Sequence, residues 1–372
     1  MNGNLKVLYT ASTAGHLRSF HVPYLEMLRE KGCFVIAAAA GSGEGLPVDE
    51  YIRLPLQKSM SPLKNLPALF KLIRLMRKER FGLICTHTSL AAFFTRLALM
   101  PAGKKNCVCV NTVHGYLFDE TTPFLKKTAL LTAEKVTARV TDRVVVMNKA
   151  DAQIALRHRL YRNDLAAIDG MGIDMPRFSP ADAAEKTQIR RRYAIPEDAF
   201  VISCAAEFSK RKAQAQLIRA MALLPENVFL LLAGQGDTLD ECRALSRSAG
   251  AEHRVRFLGF VKEVRDVFAA SDAYVSASRS EGLPFSVMEA MLCGLPAVLS
   301  DVKGHSDLVL EKHTGILFPY GDIGAYAKAV RYLIDNPEAR AEMGLIARHE
   351  AAAYSLERVK NKTFATITGE RV

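Results

Sequence analysis

Short apolar runs recur along this chain, each closed by small or polar residues before a stretch with helical spacing begins. Residues 6–10 form the first run, followed by the turn-like 11–16, a helical pattern over 20–31 and a second run at 33–37. Strand, small-residue turn and helix together predict the opening of a doubly wound α/β sheet, whose ligands gather at the C-terminal strand ends. Further strands are predicted at 83–87, 107–112 and 143–147, with helices from Ser89 and over 123–140. Residues 168–180 are rich in Gly and Pro and read as a hinge. The rhythm then restarts, with strands predicted at 200–205, 228–233, 255–260, 273–277, 296–300 and 314–318. Continuous apolar runs such as 228–233 suit parallel strands buried on both faces. A length of 372 residues fits two domains, at about 150–200 residues each.

Against this frame one stretch, 278–294, carries paired acids. Glu281 lies in a loop and Glu289 on the helix predicted from Pro284, which Gly294 is placed to end. A helix start offers N–H groups and partial positive charge to a phosphate, and a carboxylate on each side could hold sugar hydroxyls. The same spacing also fits a helix start that merely carries acids. Lys210, Arg211 and Lys212 follow the strand at 200–205, where cations can grip a diphosphate. Gly234 and Gly236 follow the strand at 228–233 and would let backbone approach a ligand. His114 and Gly115 stand just past the strand at 107–112, where α/β ligands bind.

Charge adds a direction. Of 50 Lys and Arg, 24 fall in residues 1–175 against 14 of the 39 acids, while the remainder holds 26 against 25. The one-sided excess favours an anionic partner such as a phosphorylated substrate or acidic lipid. Residues 58–80 interleave Leu63, Leu66, Leu69, Phe70, Ile73, Leu75 and Met76 with Lys64, Lys71, Arg74, Arg77, Lys78 and Arg80. That pattern suits either an anionic bilayer surface or an ordinary sheet-covering helix. Basic residues lack the aromatic interleaving of a base-stacking groove, which argues against nucleic acid. No run reaches the ~20 apolar residues of a spanning helix, and the start of the chain lacks a signal-peptide pattern. Seven scattered cysteines, Cys107 and Cys109 among them, read as reduced core thiols of a cytoplasmic protein. There is no D-x-D, so no metal cofactor is expected.

Taken together these motifs resemble the family 4 retaining glycosyltransferases of GT-B type. The resemblance rests on Glu281-x7-Glu289 within Ser280-Glu281-Gly282-Leu283-Pro284, on Gly172-Ile173-Asp174 with Arg177-Phe178, and on Lys212, Gly234-x-Gly236-Asp237, Leu258-Gly259-Phe260 and Thr314-Gly315. The first half is similar to the capsular and exopolysaccharide branch, through Gly15-His16, Phe20-His21-x-Pro23, His87-Thr88 and Thr112-Val113-His114-Gly115-Tyr116. The resemblance implies two Rossmann-like doubly wound domains facing a central cleft: 1–174 for the acceptor, 175–350 for the nucleotide-sugar donor, and 351–372 packing back on the first. It implies that Glu289 holds the ribose, Glu281 with Gly282, Leu283 and Pro284 faces the transferred sugar, and Lys212 neutralises the diphosphate. Gly15, Glu207, Arg211, Gly234, Gly236, Phe260 and Val261 would complete the donor contacts. His114 would meet the sugar at the reacting centre, and His16, His87 and Tyr116 would meet the acceptor. Glu207 stands where the family often has Arg, with Arg211 as the alternative second cation.

The activity implied is retaining transfer, without metal, from a nucleotide sugar, commonly UDP-linked, to a saccharide or polyprenyl-diphosphate acceptor at the cytoplasmic membrane face, in bacterial surface polysaccharide synthesis. A nucleotide-sugar epimerase would use the same diphosphate grip and differs in needing no acceptor. A noncatalytic basic binding module would show salt-sensitive binding alone.

Overall fold

Thirteen strands make two separate parallel sheets in the computed structural model, which describes residues 5–57, 62–104 and 106–369. Positions 1–4, 58–61 and 370–372 of the stretches read above lie outside the described residues. The first sheet contains β1 (Lys6–Thr13), β2 (Phe34–Ala40), β3 (Glu50–Arg53), β4 (Leu83–His87), β5 (Val108–Thr112), β6 (Arg143–Val146) and β7 (Asp164–Ala167). Its order is β3-β2-β1-β4-β5-β6-β7. The second contains β8 (Phe200–Ala205), β9 (Val228–Ala233), β10 (Val255–Gly259), β11 (Ala273–Ser276), β12 (Ala297–Ser300) and β13 (Gly315–Phe318), in the order β10-β9-β8-β11-β12-β13. Each order reverses beside its first strand, between β1 and β4 and between β8 and β11, which are the crevice positions for ligands in such sheets.

The apolar runs owe their continuity to two cores. Ile202, Cys204, Leu230 and Leu232 face one side of the second sheet, while Val201, Phe229 and Leu231 face the other. Successive side chains alternate, so both sets are apolar only because helices cover both faces.

The chain divides at Gly172/Ile173 and again at Leu356/Glu357, so that the first unit comprises Met1–Gly172 with Glu357–Val372 and the second Ile173–Leu356. Those divisions fall two residues before and six residues after the sequence-based boundaries at 174/175 and 350/351. The two crossings run side by side: Ile173 N–H donates to Tyr354 O at 3.0 Å, and Leu356 N–H to Ile173 O at 2.8 Å. The last helix, Leu356–Thr368, is tied within the first unit by Lys362 to Asp169 at 2.9 Å and by Arg143 to Thr366 O at 2.8 Å.

Two local readings change, and the cationic helix shows which of its faces is buried. The single helix predicted over 20–31 is two, Ala14–Phe20 and Val22–Glu30, and the first takes up part of the predicted turn. The Thr13 hydroxyl caps the first, accepting from His16 N–H at 3.2 Å. The break at His21 precedes Pro23, which lacks an N–H for a continuing helix and sits instead in the first turn of the second. β3 and β7 have no counterpart in the apolar runs; they are four-residue strands at sheet edges. The cationic helix, Pro62–Lys78, turns Ala68, Leu72 and Met76 into the core and leaves only Leu63 and Phe70 of its large apolar residues outward, 78% and 64% exposed.

Candidate active site

In the second unit, the loops after β8 and β11 meet at the switch point. Ala213 takes a left-handed conformation (φ 51°) just before the helix Gln214–Ala220, which turns the chain so that Arg211 and Lys212 face the loop 277–284. Lys212 Nζ lies 2.7 Å from Glu281 Oε1, and Arg211 Nη1 lies 2.9 Å from Glu281 Oε2. Arg211 also donates to Ser280 O at 2.9 Å, and Arg279 N–H donates to Arg211 O at 2.8 Å, so the two loops are stitched together. The Glu281 carboxylate is buried, which alone would raise its pKa; Lys212, Arg211 and His305 outweigh that and bring it down to about 2. It is therefore ionised throughout the neutral range.

His305 was not singled out from sequence, although its position just past β12 is where such sheets place ligand-facing residues. Its Nδ1 lies 2.9 Å from Ser300 O, it is fully buried, and its Nε2 has no hydrogen-bond partner. Burial lowers its pKa to about 4, against the opposing pull of Glu281. A neutral imidazole thus stands beside a buried carboxylate and two cations.

The helix Phe285–Leu292 starts after Pro284, which is its cap rather than its first residue. Glu289 lies within it, half-buried. Burial raises its carboxyl to about 7, partly offset by the charge of Arg177. Between 4.5 and about 7 the folded chain holds a proton that the unfolded chain has lost, so this group's contribution to stability falls as pH rises across that window. Gly234 and Gly236 also answer a packing demand. A Cβ would stand 2.0 Å from Ala206 O at the first and 2.3 Å from Phe208 O at the second, so the loop after β9 packs on the loop after β8. Phe260 is exposed beyond β10, Val261 packs against the sheet, Gly282 and Leu283 are buried in the Glu281 turn, and Glu207 is exposed.

In the first unit, four histidines converge at the ends of β1, β4 and β5. His16 and His21 follow β1, His87 ends β4, and His114 follows β5. Ring centroids are 5.0 Å apart for His16–His21 and His16–His114, 4.3 Å for His21–His87 and 5.6 Å for His87–His114. Burial lowers the pKa of all four, with His16 at about 4, so they are neutral together. Beside them Thr88 holds a left-handed backbone (φ 62°), a strained setting for a β-branched residue that its contact with the Ser12 hydroxyl, at 2.6 Å, helps to hold. At Gly15 an added Cβ would meet nothing nearer than Thr13 Oγ1 at 3.9 Å, so local packing does not demand glycine there. Tyr116 is not brought to this cluster: its ring is buried with Val113 and Phe118.

Residues 185–350 match the model of glycosyl transferases group 1, and residues 24–174 match that of Glycosyltransferase Family 4. The putative glycosyltransferase EpsD of Bacillus subtilis is 28% identical over 353 residues, covering 94% of this chain and 93% of its own. The UDP-Gal:alpha-D-GlcNAc-diphosphoundecaprenol alpha-1,3-galactosyltransferase of Escherichia coli is 26% identical over 289 residues, 76% of this chain and 73% of its own. The crystal structure of Anabaena Alr3699/HepE with UDP-glucose has the same fold, with a TM-score of 0.80 at 21% identity over 99% of this chain and 100% of that one. With both family models matched in turn, on two doubly wound sheets, the chain belongs to the family 4 glycosyltransferases of GT-B type.

Proposed function

We propose that this glycosyltransferase moves a sugar, with retention of configuration, from a UDP-sugar to a lipid-diphosphate-linked saccharide during assembly of a bacterial surface polysaccharide. The observation that carries the donor half is the buried Glu281 held between Lys212 and Arg211 at the β8/β11 switch point. Departure of a nucleoside diphosphate develops negative charge, and fixed cations in a buried setting stabilise it without reorganisation. The transfer chemistry is assigned to these side chains rather than to a metal. Glu281 orients the two cations and turns an oxygen to the sugar, and Glu289 takes the ribose hydroxyls. Gly15 and His114 supply the sugar contacts from the first unit, and His16 and His87 the acceptor contacts. The acceptor class is supported by the Escherichia coli relative, whose name specifies a diphosphoundecaprenol substrate. The nucleotide is supported by that relative and by the UDP-glucose complex of the Anabaena protein. The test is a panel of UDP- and GDP-sugars, each read for thermal stabilisation and for transfer to a polyprenyl-diphosphate saccharide. Stabilisation by UDP-sugars with acceptor-dependent turnover is expected; acceptor-independent epimerisation of the donor would replace this reading.

Nucleotide binding should move protons. Hydrogen bonds from ribose hydroxyls favour the ionised carboxylate, so UDP binding near pH 7 is expected to release part of a proton from Glu289, whose pKa is about 7 before binding. Calorimetry in two buffers of different ionisation enthalpy reads this, and Glu289→Gln should abolish that part while UDP's own titration remains.

The acceptor's location suggests the cytoplasmic membrane face. Among the described residues, no helix is long and apolar enough to cross a membrane. The helix Ser89–Ala102 packs against both Pro62–Lys78 and Phe124–Ala138. The outer two carry Leu63, Phe70, Phe124 and Leu125, the last pair 79% and 82% exposed, beside Lys64, Lys71, Arg74, Lys126 and Lys127. Such a surface can rest on anionic lipid. Replacing Lys71, Arg74 and Arg77 together by Gln is expected to lower binding to phosphatidylglycerol vesicles by at least tenfold, from about 1 kcal/mol per cation. Unchanged sedimentation with vesicles would assign the helix to sheet covering alone.

A further inference from the structure

The histidine cluster of the first unit has more unpaired nitrogen than a neutral core needs. His16 Nε2, His21 Nε2 and His87 Nε2 are all buried without a hydrogen-bond partner. Buried polar atoms in this condition are uncommon, and leaving each unpaired costs about 1–3 kcal/mol. Two of these nitrogens belong to rings, His16 and His21, that meet His114, and one shared partner would satisfy both. One nitrogen from each of His16, His21 and His114 lies within 4.8 Å of the other two.

We propose that His16, His21 and His114 form a binding site for a transition-metal dication of the Zn2+ class. A three-imidazole set with a fourth position open is a familiar zinc arrangement, with Zn–N distances of about 2.0–2.1 Å. Ligand nitrogens around such an ion stand about 3.3 Å apart, so the rings draw together slightly on binding. His21 is prepared for this: Tyr9 Oη lies 2.8 Å from its Nδ1, which fixes the ring and leaves Nε2 as the ligating atom. His87 stands behind, with Nδ1 3.4 Å from His114 Nε2 and its ring stacked on Tyr9 at 4.5 Å. Such orienting partners are the usual outer shell of a metal-bound imidazole. The donor set is nitrogen alone, which favours Zn2+, Ni2+ or Cu2+ over Mg2+ or Ca2+.

The site does not serve the transfer step. Because His16 and His114 are also assigned to acceptor and sugar, an ion held there competes with substrate, and this consequence alone rests on the proposed function. Zn2+ is therefore expected to inhibit transfer competitively.

Binding is tested apart from activity, by titrating ZnCl2 into the full chain freed of any affinity tag, and by the visible absorption of added Co2+. One Zn2+ per chain is expected, with a Kd on the order of micromolar or tighter, and tetrahedral Co2+ bands that Zn2+ abolishes and millimolar Mg2+ leaves in place. His16→Asn, at a half-buried position, and His21→Gln should each weaken binding at least tenfold. His253→Asn and His313→Asn, both at exposed positions elsewhere, should leave it unchanged. Thermal unfolding in chelator verifies that each variant is folded, and His16→Asn keeps the test decisive if His21→Gln is not. No saturable binding by the folded chain, displacement by Mg2+, or binding that survives His16→Asn overturns the assignment. Absence of transfer with intact Zn2+ binding would instead count against the proposed function.

Discussion

Lys212→Ala is expected to lower kcat/KM for the matched donor and acceptor by about a hundredfold to a thousandfold, the usual effect of deleting one preorganised donor to a developing anion. Its side chain is 14% exposed and ends 2.7 Å from Glu281, so its charge is desolvated, positioned before substrate arrives and little weakened by solvent. Arg211 is 46% exposed and bonds the same carboxylate, so Arg211→Ala should cost less. Lys212→Arg should recover only part of the rate, because a planar fork does not reproduce a compact point charge. Steady-state kinetics with thermal unfolding of each variant separates the effects. Equal turnover in Lys212→Ala and wild type would remove this residue from the site.

Glu281→Gln should lose transfer to a similar degree and leave a second signature in the pH dependence of stability. The folded pKa of about 2 lies below the ordinary value of 4.5. The carboxylate therefore contributes its full stabilisation above 4.5 and loses it as pH falls towards 2. The shift corresponds to about 3 kcal/mol at most, and glutamine cannot show it. Denaturant unfolding from neutral pH down through this window should show wild type losing stability faster than the variant. Parallel curves would mean that the ion pairs do not hold in solution.

What could be read from sequence, and what could not, follows from how far apart the partners lie. The central strands were legible because parallel strands covered on both faces are apolar at every position, as in β9, where every residue is buried. β3 and β7 were not, because edge strands need no continuous run: β3 reads Glu-Tyr-Ile-Arg, exposed at both ends. The small residues of 11–16 read as a turn because their packing role does not show in their polarity, whereas Ala14 is buried at the start of a helix.

The candidate site divides the same way. Glu281, Lys212 and Arg211 stood out one by one, but their pairing joins loops about 70 residues apart and depends on β8 lying beside β11. The family resemblance therefore implied Glu281 for the sugar and Lys212 for the diphosphate without showing that each holds the other. The histidines were likewise visible singly. Their convergence follows from the strand order β1-β4-β5, which brings chain positions 16, 21, 87 and 114 to one end of the sheet. Gly234 and Gly236 show the reverse case, where a motif suggesting ligand approach also answers a packing demand of the loop beneath it.

Transfer at the Lys212–Glu281 site is tested by the fate of a labelled sugar. Radiolabelled UDP-sugars are incubated with the full chain and a polyprenyl-diphosphate saccharide, and the product linkage is read by NMR. Acceptor-dependent incorporation with the donor's anomeric configuration retained is expected, lost in Lys212→Ala while that variant stays folded. Inverted product, or undiminished incorporation by folded Lys212→Ala, would contradict it.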